Sequence, residues 1–152
     1  MSEHEVFIRK AIELAKNSRV NGNHPFGALL VHDHDVILTA ENTVVSGNNP
    51  THHAETNLIN MAWKSLPADV IKASVLYTSC EPCPMCTGAI FWSGVRTVVF
   101  SLPATVLGEI ANDKFCQSCC ELFDRADDKT TVIGPILQEE GELVHQDFWE
   151  NL

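Results

Sequence analysis

The sequence predicts an α/β fold, a three-layer α/β/α sandwich built on a central mixed five-stranded sheet, and three observations lead there. Ile8, Ala11, Ile12 and Ala15 recur at i, i+3, i+4 and i+7, giving the opening segment one apolar helical face. Gly27–Val31 and Val36–Ala40 are short apolar runs around a polar turn, which reads as an antiparallel hairpin. Further on, Ser74–Thr78, Pro84–Trp92 and Thr97–Phe100 follow one another as strand, helix and strand, implying a right-handed parallel crossover. One antiparallel pair and one parallel pair make a mixed sheet, with helices on both faces.

Each element has its local reason. The first helix is expected over Glu5–Arg19, and Ser2 stands three residues before Glu5 as in a capping box. Asn21-Gly22-Asn23-His24-Pro25 is a loop by its turn residues. The hairpin tip is His32-Asp33-His34-Asp35. Its histidines are a conceivable metal pair, but converging partners are missing, so a solvated tip is the better reading. Asn42–Thr51, rich in Asn, Ser, Gly and Pro, is a loop. A second helix runs from about His53 to Lys64, with Leu58, Ile59, Ala62 and marginally Trp63 facing the core, until Pro67 and Asp69 end it.

Ser74–Thr78 has the β-branched, period-two character of a strand. The next helix stops at Gly94, a C′ residue. Beyond Ser101, Val106–Asp124 holds one or two helices around Asn112-Asp113, and Thr131–Ile133 is a short strand. Glu139-Glu140-Gly141 reads as an acidic turn, and Leu143–Leu152 as a short helix presenting Phe148 and Trp149. With no internal repeat and no second composition, residues 1–152 are expected to form one domain.

Composition narrows the function. Hydrophobic residues make up 45% and charged residues 20%, as in ordinary globular chains. A chain this long buries about 70% of its unfolded surface. No apolar run approaches the roughly 18 residues of a membrane span, and Met1–Lys10 lacks the apolar core of a signal peptide. Six cysteines in such a chain point to the reducing cytoplasm rather than to a disulfide framework. A formal charge of −10 argues against long, electrostatically driven contact with nucleic acid, though it leaves room for a small basic patch.

Two short stretches carry the chemistry, His53-Ala54-Glu55 and Pro82-Cys83-Pro84-Met85-Cys86. Cys83 and Cys86 stand at i and i+3 on the first turn of a helix, which brings two sulfurs to one face. Pro84 suits the first helical position, and the partial positive charge of a helix N-terminus favours the thiolate. His53, at the start of another helix, is the third ligand. Three protein ligands leave a fourth position for water, the pattern of a catalytic Zn2+. Zinc brings the pKa of bound water to about 7, and Glu55 is placed to move a proton from that water to a leaving amine.

Cys80, three residues before Cys83, is the alternative fourth ligand. It would close the metal as a structural site and leave Glu55 without a task, so a buried core thiol is expected. Cys116, Cys119 and Cys120 repeat a Cys-x-x-Cys spacing with no His or Cys to complete it, and read as small core residues.

His-x-Glu followed by Pro-Cys-x-x-Cys is the signature of zinc deaminases of nucleobases. On these residues the chain resembles the cytidine and deoxycytidylate deaminase superfamily. That resemblance implies the cytidine deaminase-like layered fold, hydrolytic removal of an amine from a nucleobase, and at least a homodimer. Pro25-Phe26-Gly27-Ala28, Pro50-Thr51, the run from Tyr77 to Cys86, Gly88-Ala89-Ile90 and Trp92 resemble bacterial guanine deaminase most closely, over about the first two thirds of the chain. Guanine, converted to xanthine and ammonia, is the substrate this implies. It also implies that Asn42 bonds the base, that the Ala54-Glu55 backbone N–H meets a ring carbonyl, and that a late Asp helps Glu55 handle protons on the purine; Asp113 is the candidate, with Lys114 also near the expected place.

Phe26 and Trp92 are candidates to sandwich a planar ring, against core packing as the plain alternative. The ending His145–Glu150 is closer to yeast-type cytosine deaminase, where C-terminal aromatics cover the base; this brings in Phe148 and Trp149 and keeps cytosine open. The tRNA adenosine deaminases share much of the pattern, with a smaller residue at the place of Phe26 and a more basic surface. A non-catalytic zinc domain that binds partners is the reading from another class.

Overall fold

In a computed structural model describing residues 1–152, five strands form one sheet. They are β1 (Gly27–His32), β2 (Asp35–Glu41), β3 (Val75–Cys80), β4 (Thr97–Leu102) and β5 (Thr131–Ile133), in the order β2-β1-β3-β4-β5. β1 pairs antiparallel with β2 and β3, whereas β3–β4 and β4–β5 are parallel, so the sheet is mixed as predicted.

Side chains alternate across it with period two. Ala28, Leu30, Leu76 and Val98 enter one core, and Leu29, Val31, Tyr77 and Val99 enter the other. The first core is covered by α2 (Ala54–Ser65) and α4 (Pro84–Ser93), with Ile71 of α3 (Ala68–Ala73) and Phe123 of α6 (Cys119–Phe123). The second is covered by α1 (Glu3–Val20), whose Phe7, Ile8, Ala11, Ile12 and Ala15 are buried, and α7 (Gln138–Leu143) packs against β4.

Two glycines are required by geometry. A Cβ on Gly27 would stand 2.5 Å from Leu14 Cβ and 2.6 Å from the Ala11 carbonyl oxygen, so only a hydrogen lets α1 lie on β1. Gly94, at φ 101°, closes α4 in the left-handed region.

The elements differ from expectation in four places. Pro67 and Asp69 end α2 but also start α3: Pro67 is its N-cap residue, and Asp69 sits in its first turn, where a carboxylate suits the dipole. Val106–Asp124, by contrast, is as expected: it holds two helices, α5 (Ala104–Ala111) and α6, and α5 ends at Asn112 in the left-handed region at φ 53°. Glu139-Glu140-Gly141 is helical, as part of α7, and Glu140 is paired there with Arg9 Nη2 of α1 at 2.8 Å. Leu143–Leu152 is not one helix; Asp147 at φ 59° breaks it, and only Trp149–Asn151 form a 3-10 turn. Trp63 is 63% exposed rather than core, and its indole N–H donates to the Ser93 carbonyl at 3.3 Å, tying α2 to α4.

Candidate active site

Two helices begin at the same place. His53 is the N-cap residue of α2, and Cys83 is the N-cap residue of α4, with Pro84 following at the first helical position. The Cys83 sulfur accepts the Cys86 amide N–H at 3.5 Å, so the two cysteines are locked on one turn. His53 Nδ1 lies 3.5 Å from Cys83 Sγ and 3.6 Å from Cys86 Sγ.

These separations test the metal. Zn–N of about 2.05 Å and Zn–S of about 2.3 Å at a tetrahedral angle put nitrogen and sulfur about 3.6 Å apart. The three side chains therefore fit Zn2+ without rearrangement, and their donor atoms all lie within 4.8 Å of one another. Their protonation points the same way. Cys83 is drawn down to about 4, first by the hydrogen bond from the Cys86 thiol and then by His53, while that shared bond pushes Cys86 up. His53 is held up by its contact with Cys83. A divalent cation replaces the shared protons and neutralises the thiolates.

Cys80 stands outside this set. It is buried as expected, with its thiol pushed well up by burial, and it also lines the cavity beside the ligands. Cys119 is buried in the core while Cys116 and Cys120 are exposed, and none joins a ligand cluster. His32 and His34 also hold no cluster: His32 faces Asp33 at 3.5 Å, and His34 bonds Glu3.

Glu55, in the first turn of α2, is 4% exposed beside the ligands. Burial raises its pKa, opposed by the Thr78 hydroxyl, which stands 2.5 Å from Oε1. The carboxyl opens on a cavity of about 420 Å3 lined by His53, Cys83, Phe26, Asn42, Asp113 and Trp149, among others. Hollows of about 510 and 570 Å3 elsewhere on the surface contain none of the zinc ligands, so the chemistry singles out the smaller one.

Asn42 is 1% exposed and rigidly presented. Its Oδ1 accepts the Val44 amide N–H at 3.0 Å, its N–H donates to Phe26, and its carbonyl receives Ser18 Oγ. With the oxygen occupied, the Nδ2 group has no protein acceptor and is the donor turned to the cavity. Ala54 is fully buried, so only its backbone is placed to act; its N–H is one of the free amides of the first turn. Asp113, not Lys114, lines the cavity, and its Oδ1 accepts the Phe115 N–H at 2.9 Å.

Two aromatic expectations fail. Trp92 is 79% exposed and lines a separate hollow with Phe91 and Leu122, not the cavity. Six residues beyond Cys86 on a helix, it stands about 120° around from the sulfur-bearing face. Phe148 lies behind Trp149, ring centroids 4.9 Å apart and edge-on, and does not line the cavity.

The C-terminal segment is held over the cavity by its own chain. Arg19 Nη1 donates to the carbonyls of Val144 at 2.8 Å and Gln146 at 2.7 Å, and the guanidinium sits 5.4 Å from the Phe148 ring. The Trp149 indole N–H donates to His145 Nδ1 at 3.0 Å. Sequence reasoning missed His24, Glu81, Leu107, Ala111 and Asn112 in the lining. Only His24 carried a signal, as the polar residue next to Pro25-Phe26.

The family model described as the cytidine and deoxycytidylate deaminase zinc-binding region matches residues 1–102. A probable cytosine deaminase of Schizosaccharomyces pombe is 36% identical over 152 residues, 95% of this chain and 91% of that protein. The guanine deaminase of Bacillus subtilis is 42% identical over 113 residues, 72% of this chain and 71% of its own length. An X-ray structure of guanine deaminase from Bacillus subtilis superposes with a TM-score of 0.64 at 32% identity, covering 100% of this chain and 96% of that one. A guanine deaminase structure from Nitrosomonas europaea gives 0.79 at 24% identity over 96% and 84% of the two chains, a likeness of fold. The matched residues span the hairpin, both ligand-bearing helix starts and β4, and on that match the chain belongs to the cytidine and deoxycytidylate deaminase family.

Proposed function

We propose that this chain is a zinc-dependent hydrolase that converts free guanine and water to xanthine and ammonia. One observation carries the reading: three ligands that fit zinc and a buried carboxyl beside them open on one cavity of about 420 Å3, large enough to admit a nucleobase. Zinc, when bound, supplies a water acidified to near neutrality. The remaining work falls to this chain's own side chains. Glu55 would carry the first proton of the attacking water to a ring nitrogen and then carry that water's second proton to the departing amine, leaving its oxygen as the new ring carbonyl. Burial suits it to that exchange by raising its pKa, which makes the carboxyl a better proton carrier.

Asn42 Nδ2 donates to an acceptor on the base, Asp113 accepts a ring N–H, and Phe26 with Trp149 supplies apolar ring faces. Similarity to the Bacillus subtilis guanine deaminase supports the choice of base. A second reading, cytosine, is favoured by the match to the Schizosaccharomyces pombe protein, which extends through the C-terminal segment. A polymeric RNA is disfavoured by the charge of −10 and by Trp149 standing at the cavity.

Residues 1–152 are taken as one deaminase domain acting in the cytoplasm, where the six cysteines, all free, stay reduced. No helix is long and apolar enough to cross a membrane. A homodimer would cover the outer faces of α2 and α4, where Met61, Trp63, Met85 and Trp92 are exposed. Ammonia release from guanine, cytosine, adenine and guanosine tests the proposal. Turnover of guanine alone is expected; turnover of cytosine alone selects the second reading, and release from none defeats both.

A further inference from the structure

On the first-core face of β3, Leu76, Thr78 and Cys80 follow each other at period two. Leu76 is apolar and fully buried, and so is the place of Thr78, which nonetheless carries a hydroxyl at 0% exposure. Valine has nearly the same shape and an equal preference for strands, so shape does not account for threonine here. A buried hydroxyl costs free energy unless it is bonded. Thr78 Oγ1 has two neighbours, Glu55 Oε1 at 2.5 Å and the Cys80 carbonyl oxygen at 3.0 Å. The other donors at this carboxyl are the Glu55 backbone N–H and the Cys86 thiol, so Thr78 supplies its one hydroxyl and its one anchor from the strand.

We infer that Thr78 is the positioning residue for the Glu55 carboxyl: its hydroxyl pins Oε1 from the strand side and leaves Oε2 turned to the reacting atoms. The inference rests on the role proposed for Glu55. A carboxyl on the first turn of a helix has two free side-chain torsions beyond Cβ, and the helix fixes neither. The strand supplies the missing constraint, because β3 also leads directly into the loop carrying Cys83. Misplacement of a catalytic group by even about 1 Å costs on the order of 10²-fold in rate.

The test compares Thr78→Val and Thr78→Ser with the wild type, using the base on which the wild type is active in the ammonia panel. That panel reports on the substrate assignment, whereas the variant ratios report on Thr78, so the two fail separately. Thr78→Val is expected to lower kcat by about 10- to 100-fold, with KM within about twofold and one zinc per chain retained. Thr78→Ser, which keeps the hydroxyl, is expected to restore most of the rate. Crystals of the zinc-loaded Val variant should show the Glu55 carboxyl rotated and the three ligands unmoved. An unchanged kcat in Thr78→Val, or a Glu55 carboxyl in its original place, overturns the inference. So does a Thr78→Ser variant as slow as the valine one.

Discussion

Glu81 Oε2 accepts the Cys119 amide N–H at 2.8 Å, bridging the loop that bears the metal thiolates to the first residue of α6. Its other oxygen accepts the Ala104 amide N–H at 2.9 Å, at the first residue of α5. One carboxylate thus holds two helix starts, and between them lies the segment that brings Asn112 and Asp113 to the cavity.

Glu81→Ala removes both bonds. Charge-assisted hydrogen bonds of this kind contribute about 1.5–3 kcal/mol each, partly recovered by water, so a loss of about 2–4 kcal/mol is expected in urea unfolding. KM should rise more than kcat falls, since the cavity wall loosens while the ligands stay. Equal stability of mutant and wild type would show that the clamp is idle.

Glu55→Gln keeps the shape of the side chain but cannot take a proton. Ammonia release should drop by about 10²–10⁴-fold, with zinc content by atomic emission unchanged. Full activity in this variant would remove Glu55 from the chemistry.

Cys80→Ala separates a lining thiol from a fourth ligand. Because Cys80 lies outside the ligand set, the variant should bind one zinc per chain and lose only about 1–2 kcal/mol for the small void. Cys83→Ala, by contrast, should lose the metal. A metal-free Cys80→Ala protein would mean a closed, four-residue site.

His145 makes stability depend on pH. Burial, helped by the charge of Arg19, pushes its pKa down from 6.5 to about 4. The unfolded chain takes up this proton near 6.5, whereas the folded chain resists until about 4. The contribution is therefore intact above pH 6.5 and is lost as pH falls through that window, by at most about 3 kcal/mol. His145→Gln, which can still accept from Trp149, should show a shallower fall in melting temperature between pH 7 and 4.5. Identical slopes for the two proteins would contradict the assignment.

How much of this was legible in the sequence depends on the range of the force involved. Metal ligands obey fixed spacings on single helix turns, so His53, Cys83 and Cys86 could be read directly, and Glu55 with them. Hydrophobic periodicity likewise gave the strands, the hairpin and the covering helices. Trp92 misled because aromatic character near a motif says nothing about direction, and the helical angle turns it outward. Glu81 was invisible because its partner lies 38 residues along the chain. Thr78 acquires meaning only once α2 is laid on β3, since its neighbour Glu55 comes from the other motif. The C-terminal elements were hardest, because Arg19 and Arg9 hold them from the first helix through bonds that leave no local pattern.

Trp149 lines the cavity, while Arg19 on α1 holds the Val144 and Gln146 carbonyls just ahead of it in the chain. One wall of the pocket is thus fastened from the opposite core, and a change at Arg19 would slacken that wall while leaving the three metal-binding side chains in place.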